Sequence, residues 1–183
     1  MSQNAVANLS KVHLVSLGCA RNRVDSEVML GSILADKNWV YEAEGSEADL
    51  VIINTCGFIE KAKEESIDHI LEATEYKKKN PNMKVVVTGC LTQRYKTQLA
   101  KGLPEVDLFV GTDQFHQIKS LIDNPVEKGS VFAKRTHYLY NEKLPRINTL
   151  AKRSAFVKVA EGCQHNCAFC IIPAIRGVLR SRP

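Results

Sequence analysis

The sequence predicts an α/β protein whose main domain is a doubly wound, parallel, five-stranded sheet with a flavodoxin-like strand order. Short apolar runs alternate with longer amphipathic segments through residues 1–123, as in folds whose parallel strands are connected by helices. Runs such as LVII at 50–53 and VVV at 85–87 are almost wholly apolar, which is typical of strands covered by helices on both faces. A cysteine follows each of three strand-like runs, in HLVSLGC, LVIINTC and KVVVTGC.

The elements of this domain follow from the same patterns. Strands are predicted at about 12–17, 39–43, 50–54, 84–88 and 106–110, and helices at about 23–36, 58–78, 91–100 and 114–122. The helix over 58–78 has the clearest periodicity, with Glu/Lys pairs on the side opposite its apolar residues. Those apolar residues are Ile59, Ala62, Ile67, Ile70 and Leu71.

Two further segments follow the domain at 1–123. Residues 124–152 contain two prolines, a glycine and scattered basic side chains, and they predict a linker with room for a short hairpin. A new strand is expected from Ser154, in SAFVKVAEGC, and it leads into a second group of cysteines. The predicted boundaries are therefore 1–123, 124–152 and 153–183.

Composition indicates a soluble, cytoplasmic protein. The chain has 183 residues, of which 44% are hydrophobic and 25% charged, as in globular domains. No apolar stretch approaches the ~20 residues of a membrane span, and the first residues lack the layout of a secretory signal. Because the cytosol keeps thiols reduced, the six cysteines are not expected to form disulfides.

The charge is uneven along the chain. Residues 1–123 carry a net charge of −3, whereas residues 124–183 carry +8. A basic C-terminal segment predicts contact with RNA or a ribosome, although a solvated linker would have the same composition. Charge alone does not separate these alternatives.

Cys19, Cys56 and Cys90 follow the first, third and fourth predicted strands. In a 2-1-3-4-5 order these strands are neighbours, ~4.8 Å apart, and ligands bind outside their carboxyl ends. The helices that follow are expected to lower the thiol pKa values, and Gly18, Gly57 and Gly89 to allow close approach of the backbone to an inorganic core. We expect one shared ligand site, whereas taken singly each cysteine could be an ordinary buried residue.

Cys163, Cys167 and Cys170 form a C-x-x-x-C-x-x-C loop. A cluster of four irons usually takes one thiolate per iron, so three cysteines leave one iron open. Zinc is the rival, but a structural zinc site needs four protein ligands. The candidate fourth ligand, His165, lies inside the loop, where joint ligation would be awkward.

This loop, with Phe169 before its last cysteine, resembles the radical S-adenosylmethionine (SAM) enzymes. The longer run EGCQHNCAFCIIPAIRGVLRSR and the domain bearing Cys19, Cys56 and Cys90 resemble the methylthiotransferases, which replace a carbon–hydrogen bond with a carbon–SCH₃ group. The resemblance implies two 4Fe–4S clusters and SAM as cofactors. It assigns the SAM-binding cluster to Cys163, Cys167 and Cys170, and an auxiliary cluster to Cys19, Cys56 and Cys90.

The segments SLGCARNRVDSE and NTCGFIEKAKEESI resemble the branch that converts an aspartate of a small-subunit ribosomal protein to 3-methylthioaspartate. This implies that ribosomal protein as substrate and an electron donor such as flavodoxin as partner. Three alternatives stay open: the branch that modifies an adenosine of tRNA, a non-catalytic iron–sulfur module, and a zinc-stabilised nucleic-acid-binding domain.

The resemblance also implies a radical SAM α/β barrel after the linker. A full (β/α)₈ barrel takes ~250 residues, whereas 153–183 has room only for a first strand and the cluster loop. We therefore expect this chain to be the N-terminal portion of a longer enzyme and to be inactive alone.

Overall fold

A parallel six-stranded sheet forms the body of the protein in a computed structural model that describes residues 9–136, 138–150 and 153–182. The strands are β1 (Ser10–Ser16), β2 (Trp39–Tyr41), β3 (Leu50–Thr55), β4 (Lys84–Gly89), β5 (Leu108–Val110) and β6 (Ser130–Phe132). Their order is β2-β1-β3-β4-β5-β6. The α/β class, the parallel sheet and the flavodoxin-like order of the first five strands are confirmed.

Helices cover both faces of this sheet. They are α1 (Ala20–Leu34), α2 (Glu60–Lys79), α3 (Cys90–Gly102) and α4 (Ile118–Asp123). Side chains alternate between faces along β3: Leu50 and Ile52 join a core with residues of α1 and α4, whereas Val51 and Ile53 join a core with residues of α2 and α3. All six residues of β3 are buried, as expected for a strand between two helical layers.

The helices differ in detail from their predicted patterns. In α2, Ile70 is fully buried, but Leu71 is 47% exposed and Ile59 56% exposed. The buried stripe of α2 consists of Ser66, Ile70, Ala73 and Thr74, so small and hydroxyl side chains complete a face that the apolar pattern placed elsewhere. Helix α3 is interrupted at Lys96, whose φ is +45°.

Within the described ranges, no helix is long and apolar enough to cross a membrane.

The sixth strand lies in the segment 124–152, which we expected to be a linker. Residues 130–132 pair in parallel with residues 108–110 of β5 and extend the sheet at its edge. Backbone bonding continues past the strand, where the Gly111 N–H donates to the Phe132 carbonyl at 2.7 Å. This segment therefore contributes to the sheet.

A second part of the same segment crosses α1 closely. A Cβ added to Gly31 would lie 2.7 Å from the backbone of Pro145 and Arg146, and the Ile147 N–H donates to the Glu27 carbonyl at 3.1 Å. We call residues 144–149 the strap. It packs on the outer side of α1, so α1 lies between the sheet and the strap.

The C-terminal segment does not form the predicted strand from Ser154. Residues 154–159 have no regular secondary structure, and β7 covers only Ala160–Glu161. It pairs antiparallel with β8 (Arg180–Ser181), and the short helix α5 (Ile172–Arg176) lies between them. A strand requires a neighbour to accept its backbone hydrogen bonds, and only these two residues obtain one. The predicted barrel strand is therefore absent from the described residues.

Candidate metal centre

Cys19, Cys56 and Cys90 line one cavity of about 410 Å³ at the carboxyl ends of the strands. Cys19 is the residue before α1, Cys56 follows β3 directly, and Cys90 is the first residue of α3, directly after β4. Because β1, β3 and β4 are neighbours in the sheet, the cysteines that follow them lie at the same edge of the sheet. Phe58, Ile59, Ile172 and Ile175 provide apolar walls.

The glycines beside the cysteines serve contacts within the protein. A Cβ on Gly18 would lie 3.0 Å from the Cys56 Cβ and 3.2 Å from its Sγ. On Gly57 it would lie 2.9 Å from the Leu91 backbone, and on Gly89 it would lie 2.3 Å from Asn54 Oδ1. Our expectation that these glycines make room for an inorganic core was incomplete, because neighbouring loops already fill the space beside them.

Asn22, in the first turn of α1, ties two of the strand ends together. Its Nδ2 donates to the Leu17 carbonyl at 3.0 Å and to the Thr55 carbonyl at 2.9 Å. Its Oδ1 lies 3.6 Å from the Cys90 Sγ, which donates to it. Asn22 is 1% exposed, so its amide is committed to these partners and fixes the spacing of the loops around the cavity.

Ser66 of α2 holds the backbone of Cys56. The Cys56 N–H donates to Ser66 Oγ at 3.1 Å, and the Cys56 carbonyl lies 3.1 Å from the same hydroxyl. Ser66 is fully buried, and its hydroxyl is also 2.8 Å from the Ala62 carbonyl. A buried serine in the middle of α2 thus anchors a cysteine of the cavity, which sequence patterns did not indicate.

Arg176, at the end of α5, brings a positive charge to the cavity. Its Nη2 lies 3.3 Å from the Cys90 Sγ and also donates to Asn22 Oδ1. Its Nη1 donates to Asp25 Oδ2 at 2.8 Å and to Glu161 Oε2 at 3.2 Å. The side chain is buried, with 3% exposure, so this guanidinium belongs to the cavity wall.

Lys158 completes a buried cluster of four charges with Arg176, Asp25 and Glu161. Its Nζ donates to Asp25 Oδ1 at 2.7 Å and pairs with Glu161. Each of the four residues is at most 7% exposed, and the two cations match the two carboxylates. Burial acts to raise the pKa of Glu161, but the charges of Arg176 and Lys158 outweigh it, and the pKa lies below its ordinary value.

The electrostatics of Cys90 contradict one of our expectations. We predicted that helix starts would lower the thiol pKa values, yet burial raises the pKa of Cys90, and the nearby Arg176 charge opposes that only in part. Cys56 does not lie at a helix start, since α2 begins four residues later at Glu60. Arg176 is therefore the positive group that favours a Cys90 thiolate.

Cys163, Cys167 and Cys170 lie together in the loop between β7 and α5. The Cys170 N–H donates to the Cys167 carbonyl at 3.0 Å, and the Cys163 N–H donates to the Gly177 carbonyl at 3.1 Å. Cys167 is exposed and the other two are half-buried, while Phe169 is 92% exposed. One backbone bond thus closes a turn inside the loop, and the other ties its first cysteine to the residue that follows α5.

The Cys19/Cys56/Cys90 cavity fits an iron–sulfur cluster. Three cysteines line the cavity, the remaining wall is largely apolar, and one guanidinium nitrogen lies 3.3 Å from the Cys90 sulfur; this suits an anionic core with three thiolate ligands. Among the described residues, no three Cys, His, Asp or Glu side chains converge on a point that would hold a single metal ion. An iron–sulfur cluster does not require its ligands to meet at one point, since each thiolate binds a separate iron.

Much of the basic charge in the C-terminal part is paired within the protein. In the portion of 124–183 that the structure describes, six Lys and Arg side chains form ion pairs, five of them with carboxylates outside the linker: Asp25, Glu27, Asp113 and Glu161. The sixth pair joins Arg182 and Glu142. The charge asymmetry therefore reflects packing of the C-terminal part against the sheet domain.

Comparison with known sequences places this fold in a family. The profile described as Uncharacterized protein family UPF0004 matches residues 11–111, which span β1 to β5 and include all three cysteines of the cavity. The chain belongs to the UPF0004 family. The match covers the elements that form the candidate site, apart from the wall contributed by α5.

Curated relatives of this UPF0004 chain are named "Ribosomal protein uS12 methylthiotransferase RimO". The protein of Bdellovibrio bacteriovorus is 48% identical over all of this chain and 40% of its own length. Those of Citrifermentans bemidjiense and Myxococcus xanthus are 45% and 46% identical over 94% of this chain, and over 39% and 36% of their own lengths. The chain thus spans about two fifths of these relatives, and its resemblance to the methylthiotransferases, and to RimO in particular, is confirmed.

Proposed function

We propose that this chain is the N-terminal portion of a radical SAM methylthiotransferase that modifies an aspartate of ribosomal protein uS12. The observation that carries the proposal is the convergence of Cys19, Cys56 and Cys90 in one cavity at adjacent strand ends. The names of the relatives support the reaction class and the substrate. They favour uS12 over the tRNA substrate of the other branch.

In this proposal Cys19, Cys56 and Cys90 hold an auxiliary 4Fe–4S cluster, and Cys163, Cys167 and Cys170 hold the SAM-binding 4Fe–4S cluster. When bound, the two clusters and SAM supply the sulfur to be transferred and the reductive cleavage that generates a radical. The chain's own residues perform the positioning. Asn22 and Ser66 fix the loops that bear the cysteines, and Phe58, Ile59, Ile172 and Ile175 give the cavity an apolar lining.

Further parts of the proposal follow from this chemistry. Radical formation needs a one-electron donor, for which a flavodoxin-type protein is suited, and reduced thiols call for a cytoplasmic setting. RNA contact by the basic segment has weaker support, because so many of its cations are paired internally.

Anaerobic reconstitution with iron and sulfide tests the cofactors. We expect the 183-residue chain to take up about eight irons, corresponding to two 4Fe–4S clusters, with the broad visible absorbance of such clusters. Uptake of zinc without that absorbance would contradict the proposal and favour a zinc domain. Iron uptake without 5′-deoxyadenosine formation, even by a full-length enzyme given SAM and a reductant, would favour a non-catalytic module.

The substrate is tested separately with a full-length enzyme that includes this chain. Incubation with uS12 should add a methylthio group to one aspartate, detected by peptide mass spectrometry. The matched control is tRNA under the same conditions, which should remain unmodified. Modification of tRNA and not of uS12 would contradict the proposed substrate and assign the chain to the tRNA-modifying branch.

A further inference from the structure

Arg176 reaches the cysteine cavity from a distant part of the chain. It lies in α5, which follows the loop with Cys163, Cys167 and Cys170 along the chain. Its Nη2 is nevertheless 3.3 Å from the Sγ of Cys90. Since Cys90 begins α3 after β4, this contact joins the C-terminal segment to a cysteine of the sheet domain.

The guanidinium of Arg176 is held in a fixed orientation. One nitrogen donates to Asp25 and Glu161, and the other to Asn22 and the Cys90 sulfur. A planar guanidinium can serve such divergent acceptors at once, whereas the compact ammonium of lysine cannot. The side chain is therefore not free to turn away from Cys90.

The backbone of α5 is fixed as well. Thr112 Oγ1 donates to the Ile175 carbonyl at 3.2 Å, and Arg135 donates to the Ala174 carbonyl. Thr112 is 3% exposed, so this contact lies in the interior. The last turn of α5 is thus docked on the sheet domain, and the position of Arg176 follows from that docking.

The contact with Cys90 is not explained by charge balance alone. Asp25 and Glu161 each pair with Lys158 as well as with Arg176. The Nη2 nitrogen faces the sulfur and an amide oxygen, neither of which is a carboxylate. The Nη2 nitrogen therefore supplies the sulfur with a hydrogen-bond donor that takes no part in the ion pairs.

We propose that Arg176 is a positioning residue for a cluster held by Cys19, Cys56 and Cys90, donating a hydrogen bond to the Cys90 thiolate and raising the reduction potential of that cluster. The inference rests on the auxiliary cluster of the proposed function. Hydrogen bonds to ligand sulfurs and nearby positive charge favour the more negative, reduced state of a cluster. The same bond fixes the sulfur in the cavity, so its loss weakens retention of iron.

The test uses the 183-residue chain with Cys163, Cys167 and Cys170 replaced by alanine, so that only the auxiliary site contributes. The variant is Arg176→Met combined with Glu161→Gln, which removes one cation and one carboxylate and leaves Asp25 paired with Lys158. Glu161→Gln alone is the matched control, since it retains the Arg176–Cys90 contact. Each protein is reconstituted anaerobically, its iron is counted, and its midpoint potential is measured by redox titration.

We expect equal iron content in variant and control and a more negative midpoint potential in the double variant. Loss of iron to a chelator should be faster by on the order of tenfold. An unchanged potential at equal iron content overturns the inference and leaves the proposed function intact. If the cysteine-replaced parent takes up no iron, the auxiliary cluster itself fails, and the inference fails with it.

Arg176→Lys provides a second comparison if the double variant does not fold. It retains the charge in the buried cluster but cannot serve all four acceptors. A negative shift smaller than that expected for the double variant supports the inference, and a potential equal to that of the parent contradicts it. Circular dichroism confirms folding before each titration.

Discussion

The Sγ of Cys90 lies 3.3 Å from Nη2 of Arg176, although 86 positions separate the two residues along the chain. The contact joins Cys90 to the segment that carries the second group of cysteines, because Arg176 belongs to that segment. Ile172 and Ile175 of α5 also line the first cavity. The C-terminal segment therefore forms part of the wall of the Cys19/Cys56/Cys90 cavity, in addition to carrying its own cysteines.

Replacing one cysteine of each group should separate the two sites. We expect Cys56→Ala to reduce iron uptake from about eight to about four per chain, and Cys167→Ala to do the same. The two losses should be independent, since the proposed function assigns Cys56 and Cys167 to different clusters. Iron counting after anaerobic reconstitution measures both.

Assays of SAM cleavage and of methylthiolation in a full-length enzyme should separate the two sites as well. Cys167→Ala should abolish SAM cleavage, whereas Cys56→Ala should retain cleavage and lose methylthiolation of the product. If either substitution removed all the iron, or neither removed any, the assignment of the cysteines to two separate clusters would be wrong.

Gly89 should be intolerant of any side chain. Its φ of 98° and ψ of −154° lie in a region that is essentially restricted to glycine, and an added Cβ would meet Asn54 Oδ1 at 2.3 Å and the Thr55 carbonyl oxygen at 2.6 Å. We expect Gly89→Ala to lower the free energy of unfolding by about 3–5 kcal/mol. Urea unfolding measures the change.

Gly129→Ala is the matched control for this substitution. Gly129 also has a positive φ, +79°, but nothing lies within 4 Å of an added Cβ. It should cost only the conformational penalty of about 1–2 kcal/mol. Equal losses in the two variants would show that crowding between β3 and β4 is not what excludes a side chain at Gly89.

The elements with local signals were predictable from sequence, and the rest were not. Strands β3 and β4 are nearly continuous apolar runs and β1 contains a shorter one, and right-handed crossovers are compatible with the order in which they lie in the sheet. Strand β6 has only three half-buried residues at the edge of the sheet, so its composition does not distinguish it from a loop. The run from Ser154 has a strand-like composition but obtains a pairing partner only at Ala160–Glu161.

The candidate site divides in the same way. The cysteines were predictable because each follows a strand, and topology then determines their proximity. Asn22 and Arg176 were not, since their contact spans 154 positions and depends on how α5 docks. The sequence does contain a signal, because Asn22 lies three residues after Cys19 and Arg176 lies six residues after Cys170.

Gly31 should prove essential for the packing of the strap, residues 144–149, on α1. Alanine normally stabilises a helix by about 1 kcal/mol relative to glycine, but here the added Cβ would lie 2.7 Å from the backbone of Pro145 and Arg146. We expect Gly31→Ala to destabilise the protein by about 1–3 kcal/mol. Urea unfolding measures the loss, and faster tryptic cleavage after Arg146 would report release of the strap.

Gly102→Ala is the control for the strap prediction. Gly102 ends α3, and nothing lies within 4 Å of an added Cβ. The substitution should be neutral or slightly stabilising and should leave cleavage after Arg146 unchanged. A stabilised Gly31→Ala variant with an intact strap would contradict the close crossing of α1.

Glu27 should make stability depend on pH through the same strap. Burial acts to raise its pKa, but hydrogen bonds from the Thr149 N–H and hydroxyl, at 2.9 and 2.8 Å, and the Arg146 guanidinium outweigh it. The pKa therefore lies below its ordinary value of 4.5. A carboxylate with a lowered pKa stabilises the fold above the unfolded-state pKa, and this contribution is lost as the pH falls through the folded-state value.

Glu27→Gln removes the ionisable group, so comparison with the parent gives the part of the pH dependence of the unfolding free energy that is due to Glu27. We expect the variant to lose about 1–3 kcal/mol near neutral pH, and the difference from the parent to shrink as the pH falls below about 4.5, where the parent loses its own Glu27 contribution. Thr149→Val, which removes the hydroxyl bond but retains the backbone N–H, should give an intermediate pH dependence. Urea unfolding at a series of pH values measures all three proteins. A difference that stays constant from neutral to acidic pH would mean that the ionised Glu27 does not hold the strap, because protonation would then leave its contribution unchanged.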